Sequence, residues 1–396
     1  DYRNRLVEKK LPGKQWEFIV YDRLDRVVAT GPTFSPFSNL QTISPATPIV
    51  GWMITKYDAF NRVVYTGWMQ ATSVLSNDRK ILQDTQNNLS TSLNEIKTTS
   101  GTIDGISIYY SNNVAPTSIK LLTVHYYDNY IFPNAPSSIP AYVLNNNSQA
   151  VYYNNSKLPI GLPTGSWTRI SELSTTIPVR SESSYLLYDF KARAVRTYTS
   201  NYLGGYIQFD SKIDFAGKTL YTETKHKRLN TDPTELYVND SYNYTNQDKL
   251  YSQINQIGTG SPQLMNKNTY SELGQLIVKN VGGTDITSTA IGLQNVNYKY
   301  NIRGWLTDIN DVSNLTQGTD PVDLFAFKLN YNTVVNSPSN NSVPLFNGNI
   351  SEAYWRTKND NTLRKYSYEY DNLNRINNAI YQRPGNVPSL LNSYNE

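Results

Sequence analysis

A chain of 396 residues is long enough for two or three ordinary domains or for one extended repetitive body, and its lack of cysteine excludes disulfides, thiolate metal sites and a cysteine nucleophile. Its 36 basic and 32 acidic residues include no dense Lys/Arg block, which argues against a nucleic-acid partner, and no apolar run reaches the roughly 18 residues of a transmembrane segment. The 32 tyrosines, against 11 phenylalanines and 6 tryptophans among many Asn, Ser and Thr, point to strands with one wet face.

The opening residues, DYRNRLVEKK, read as the tail of a repeat that has lost its first Tyr; they carry no signal-peptide pattern. The final LLNSYNE ends without a closing element, so a piece of a longer chain is expected. WEFIVY, from Trp16, alternates as a strand should, and it runs into YDRLDRVVATG, Tyr21 to Gly31. A near-copy, YDAFNRVVYTG, follows from Tyr57 to Gly67.

The shared unit is Tyr, then Asp or a small polar residue, two free positions, Asn/Asp/Gly/Ala, a polar or bulky residue, and an aliphatic. It recurs as YDFKARA at Tyr188, YTNQDKL at Tyr244, YSELGQL at Tyr270, YNIRGWL at Tyr300 and YDNLNRI at Tyr370, with a degenerate IDFAGKTL at Ile213. A single copy is an ordinary surface turn, since such short patterns arise by chance. Seven or eight copies predict stacked hairpins in which each repeat buries its apolar face against a neighbour.

The chemistry of a reverse turn accounts for the residue types. An Asp side chain at the turn's start accepts backbone N–H groups, and Asn, Asp or Gly three positions later tolerates the left-handed backbone. The expected turn residues are therefore Tyr21, Asp22, Asp25 and Arg26; Tyr57, Asp58, Asn61 and Arg62; Tyr188 and Asp189; Tyr270 and Gly274; Tyr300 and Gly304; and Tyr370, Asp371, Asn374 and Arg375.

Between Trp68 and Tyr185 the unit is missing. Leu82, Leu89, Leu93 and Ile96 fall at helical spacing and predict an amphipathic helix over 78–97. IDGISIYY and KLLTVHYYDNY read as strands, and the Pro- and Asn-rich passage from Pro133 to Pro163 as loop. Ser313 to Pro344, which contains NSPSNNS, reads as an exposed loop. The predicted organisation is repeat hairpins over 1–67, an insertion with one helix and strands over 68–187, and repeat hairpins over 188–396 that continue past the C-terminus.

A search for catalytic chemistry finds little. His125 and His226 stand apart with no companion spacing, and no phosphate loop, dinucleotide fingerprint or serine-hydrolase elbow is present. Paired carboxylates about 5–10 Å apart would suffice for glycan cleavage. Asp22, Asp25, Asp58, Asp189 and Asp371 are instead explained by the turns they sit in. The six tryptophans, Trp16, Trp52, Trp68, Trp167, Trp305 and Trp355, together with the tyrosines, are candidate stackers on sugar rings, but packing into a half-wet sheet explains them better.

The Tyr-Asp units, with LQNVNYKYNIRGWLTDIN (Leu293 to Asn310) and NGNISEAYWRT (Asn347 to Thr357) ahead of YEYDNLNRI, resemble the Rhs/YD-repeat proteins, particularly the large surface or secreted ones of Bacteroidetes. The resemblance covers nearly the whole chain. It implies a mainly β fold whose hairpins spiral into part of a hollow shell, enclosing a C-terminal payload in toxin-bearing members. In those relatives an Asp-Pro-Gly motif ends the shell. Asp232-Pro233 and Asp320-Pro321 lack the following glycine, so no cleavage residue carries over.

The expected function is a non-enzymatic scaffold of a large secreted or cell-surface protein, encapsulating or presenting an effector. Its expected partners are a payload in the same full-length chain and, by resemblance, type IX secretion machinery; no cofactor or metal is expected. The alternative is a surface adhesin that binds glycans through exposed aromatics.

Overall fold

The computed structural model describes residues 1–35, 49–90, 92–144, 148–171, 179–335 and 342–384. Among the described residues the chain is mainly β with one short helix, and it divides into two units, Asp1–Tyr237 and Val238–Glu396. The division falls inside a strand of the repeat region.

The first unit begins with β1 (Glu8–Lys10), β2 (Trp16–Tyr21), β3 (Val27–Phe34), β4 (Val50–Tyr57) and β5 (Val63–Gln70), followed by helix α1 (Ser76–Asn87). Two short hairpins, β6 (Thr102–Ile103) with β7 (Ile106–Ser107) and β9 (Tyr142–Val143) with β10 (Gln149–Ala150), flank β8 (Lys120–Tyr127). Then come β11 (Pro163–Arg169), β12 (Ser181–Tyr188), β13 (Ala194–Ser200), β14 (Gly204–Ile213) and β15 (Thr219–Leu229). Apart from the two short hairpins, these strands pair antiparallel in chain order, with β8 joining β5 to β11 and β11 joining β12. The region between the repeats therefore supplies strands to the sheet itself.

Alternation places Phe18 and Val20, Trp52 and Ile54, and Val124 and Tyr126 on one face, and with the adjacent Val64 and Tyr65, Leu187 and Val195 they form one apolar core. Tyr110, Tyr126 and Phe132 stack within it at centroid distances of 5.5 and 4.7 Å.

The helix is shorter than its leucine spacing suggests. It ends at Asn87, where the Asn88 N–H donates to Asp84 O, and Leu93 and Ile96 lie beyond it. Asn, Ser and Thr after Gln86 are poor helix formers, and the backbone leaves the helix there. Asp78 accepts the Leu75 N–H at 2.9 Å and so closes the first turn. The buried helical side chains are Gln83 and Gln86; Gln83 bonds both the N–H and the carbonyl of Tyr21 at 3.0 and 2.7 Å, which fixes the helix beside β2.

The second unit runs β16 (Leu236–Tyr244), β17 (Leu250–Ile257), β18 (Gln263–Tyr270), β19 (Leu276–Val281), β20 (Gln294–Tyr300), β21 (Leu306–Ile309), β22 (Phe325–Asn330), β23 (Glu352–Thr357), β24 (Arg364–Tyr370) and β25 (Ile376–Gln382), each antiparallel to the next. β22 lies inside the stretch expected to be loop. FAFKLN alternates as a strand does, and Leu315 ahead of it packs in a small cluster with Val312, Ala326 and Tyr354. Residues 336–341 of that stretch lie outside the described residues.

Candidate functional site

The repeated turn is the feature this chain has built most often. At Asp22 the carboxylate Oδ1 accepts the N–H groups of Leu24 and Arg26, both at 2.9 Å, and Oδ2 accepts Arg26 Nε at 2.7 Å. The Asp22 N–H donates to Arg26 O, and Asp25, at φ 62°, donates its own N–H to Asp22 O. This is a four-residue reverse turn followed by a left-handed residue, the form that closes a hairpin with a bulge.

The same bonds recur at Asp58, with φ 62° at Asn61, and at Asp371, with φ 62° at Asn374. At Asp189 the left-handed position is held by Ala192 at φ 60°, a residue whose methyl group makes no hydrogen bond to compensate the strain. Thr245 and Ser271 do the same work with a hydroxyl, and Asn301 with an amide oxygen; Asp248, Gly274 and Gly304 take the left-handed position. Asp214 and Gly217 complete the degenerate copy.

One turn escapes a search keyed to Tyr, and the opening residues, read as the tail of a repeat, close another. Asn201 receives the N–H groups of Leu203 and Gly205 at 2.9 Å, with Gly204 left-handed, and Asp1 receives those of Arg3 and Arg5. Their signal was the Asn-to-Gly or Asp-to-Asn spacing of three.

Register follows from the turn. Tyr21 pairs with Val27, Tyr57 with Val63, Tyr188 with Ala194, Tyr270 with Leu276, Tyr300 with Leu306 and Tyr370 with Ile376, each across a one-residue bulge. In several places a tyrosine hydroxyl reaches the carbonyl just past the previous turn. Tyr57 Oη donates to Val27 O at 2.7 Å, Tyr127 to Val63 O at 3.0 Å, Tyr270 to Leu250 O at 2.8 Å and Tyr331 to Leu306 O at 2.9 Å.

The basic residue of each turn faces the opposite way. The Arg26 guanidinium sits 4.8 Å from the Tyr57 ring and donates to Asp58 O and Asn61 Oδ1; Arg62 sits 4.3 Å from the Tyr127 ring. Arg193 donates to Asp214 O at 2.9 Å, and Lys249 donates to Gly274 O. The Arg26, Arg62 and Lys249 joints combine a cation over an aromatic face with charge-assisted hydrogen bonds, while the Arg193 joint rests on its hydrogen bonds.

A cavity of about 360 Å³ opens where one joint departs from the pattern, lined by Asp58, Phe60, Arg62, Glu95, Lys97 and Asp128 among others. Arg62 bonds both carboxylate oxygens of Asp128, at 2.9 and 2.6 Å, and holds that carboxyl below the usual range. Burial pulls Lys97 down to about 8, while its Nζ donates to Tyr127 O and Asn129 Oδ1 at 2.6 Å each. Each charged group at the cavity mouth is thus tied to protein atoms.

The other candidates are dispersed. Burial lowers the pKa of His125 in β8, and His226 lies in β15; among the described residues no three His, Asp or Glu side chains converge on a metal position. Trp52, Trp68 and Trp167 are buried, Trp305 and Trp355 half-buried, and Trp16 is half-exposed. Tyr185, Tyr198 and Tyr206 form a stacked row across β12, β13 and β14, with centroids 4.9 and 5.4 Å apart.

No family model and no curated protein matches the chain. Among solved structures, the crystal structure of TcdB2-TccC3 without hypervariable C-terminal region aligns over 94% of this chain and 19% of that one, at 13% identity and a TM-score of 0.36. The Photorhabdus luminescens Tc holotoxin pore aligns over 99% of this chain and 20% of that one, at 12% identity and a TM-score of 0.25. The chain thus spans about a fifth of the length of these solved chains, and likeness at this level assigns neither function nor partner.

Proposed function

We propose that this chain is a non-enzymatic structural scaffold, a run of Rhs/YD-type hairpins from a large bacterial protein acting outside the cell. The observation that carries the reading is the joint between turns: Tyr57 binds backward to Val27 O while Arg26 binds forward to Asp58 O. The carboxylates of Asp22, Asp58, Asp189 and Asp371 are occupied by main-chain N–H groups and by the cation four residues on, and that of Asp25 by Arg3 and Arg5. Asp22 and Asp189 are each 2% exposed, too enclosed to meet a substrate.

The finer parts of the proposal rest on the Rhs/YD resemblance. They are a shell that encapsulates or presents a C-terminal effector, export by a type IX route and a surface or extracellular location. The competing glycan-binding role would rest on the half-exposed Tyr185, Tyr198 and Tyr206 row.

The test is Asp58→Ala beside Asp22→Ala, read by thermal unfolding and local hydrogen exchange. Each should cost about 1–3 kcal/mol and open its own hairpin while distant ones stay protected. If Asp58→Ala instead keeps full stability and abolishes a hydrolytic or ligand-binding activity that Asp22→Ala retains, the scaffold reading fails.

A further inference from the structure

Turn closure uses the acceptor at the first position and the left-handed residue at the fourth, leaving the two tip positions between them free to be polar. They are mostly apolar. In the first unit Leu24, Phe60, Phe190 and Phe215 occupy tips and are 54, 75, 58 and 79% exposed. Ile160 adds another, 71% exposed, beside Gly161, whose N–H donates to Asp128. The second unit repeats the pattern with Leu273, Ile302 and Leu373. Scattered exposed apolar side chains are ordinary, but recurrence at one geometric position is not.

Antiparallel pairing in chain order puts the first unit's tips on one edge. The turns β2–β3, β4–β5, β12–β13 and β14–β15 close at the same end of the strands, and Asp128 follows β8 at that end. Strand spacing places tips of neighbouring hairpins about 10 Å apart.

Charge along this row is uneven. Asp22, Asp58, Asp189 and Asp214 are matched by their own Arg or Lys, and Asp25 by Arg3 and Arg5. Beside the tips stand cations with no carboxylate partner among the described residues. Arg23 adjoins Leu24, Lys157 precedes Leu158 and Ile160 and lies over the Tyr152 ring, and Lys191 adjoins Phe190, lies over the Phe215 ring and donates to Phe215 O at 2.7 Å.

From this juxtaposition we propose that the turn edge of the first unit docks on an anionic lipid bilayer. The apolar tips enter the boundary between headgroups and acyl chains, and Arg23, Lys157 and Lys191 meet lipid phosphates. Two such edges facing each other would oppose like charges, which disfavours a second copy as the occupant. The surface goes beyond the scaffold role and does not depend on it.

The test is co-sedimentation of the chain with vesicles of phosphatidylcholine alone or mixed with phosphatidylglycerol. Binding to the anionic vesicles should be roughly tenfold tighter and should weaken with added salt. The triple variant Phe60→Ser, Phe190→Ser, Phe215→Ser should lose roughly that factor while unfolding at the parent's temperature. Ile207→Ser with Phe209→Ser, exposed on a strand away from the tips, should bind as the parent does. The proposal is overturned if anionic vesicles do not bind the chain, if the triple variant binds unchanged, or if the control pair loses as much. It is also overturned if sedimentation velocity shows self-association that the triple variant abolishes.

Discussion

The two units share one turn but fill the space behind it differently. The first packs Ile54, Val64, Tyr65, Leu121 and Val124, all essentially inaccessible, into a continuous apolar core. Among its described residues the second gathers Val312, Leu315, Ala326 and Tyr354 into a small cluster and buries Leu264, Ala290, Ala353 and Tyr381 apart from it, and much of what it buries is polar: Ser252, Lys267, Asn268, Asn280, Glu352 and Lys365. Glu352 there accepts from Asn330 Nδ2 and Tyr354 Oη and pairs with Lys365 at 2.5 Å. The same hairpin unit thus tolerates either filling, because its register is set at the turn and not by the core.

The largest effect should come from Lys365→Met. It leaves Glu352 buried without its cation and should cost about 3–5 kcal/mol, read as loss of hydrogen-exchange protection over β22 to β24. An unprotected first unit in the same variant would break the distinction between the units. Ile54→Ala should cost about 2–5 kcal/mol through the cavity it leaves, with the loss confined to the first unit.

A pH titration probes one carboxyl of the second unit. Asp323 is buried, and burial together with Asp320 and Asp311 holds its carboxyl up to about 6. A carboxyl raised in the folded state contributes stability below its unfolded pKa, and that contribution disappears as pH rises through the folded value. The second unit should therefore lose on the order of 1–3 kcal/mol between about pH 4 and pH 6 through this group. Asp323→Asn should flatten that slope in chemical denaturation, and an unchanged slope would assign it to another group.

The smallest expected change is a gain. Ala192→Asn places a residue suited to the left-handed backbone at φ 60° and should stabilise its hairpin by under about 1 kcal/mol, seen as a small rise in melting temperature.

The turns were legible because only a few residue types can accept two N–H groups at their first position or take positive φ at the fourth. Asn201 was overlooked because it meets those demands without the flanking Tyr. The helix boundary was misread because leucine spacing continues to Ile96, whereas the backbone stops at the run of poor helix formers after Gln86. β22 was hidden by its Ser- and Asn-rich surroundings, although Phe325, Phe327 and Leu329 alternate, on the face opposite the buried Ala326 and Asn330. The joints were beyond reach of the sequence, since Tyr57 meets Val27 only after both hairpins have paired.

The joint also bears on how such a chain changes length over generations. Where both halves are present, as between Arg26 and Tyr57 or Lys249 and Tyr270, they sit on adjacent units, so duplicating or excising one whole unit of that kind in the gene recreates a working splice between the flanking copies. Loss of half a unit does not, because a tyrosine is then left without its carbonyl and an arginine without its ring. Insertions and deletions in this reading frame should accumulate in whole-hairpin steps, and the gene can be lengthened by copying where most proteins would need a new core.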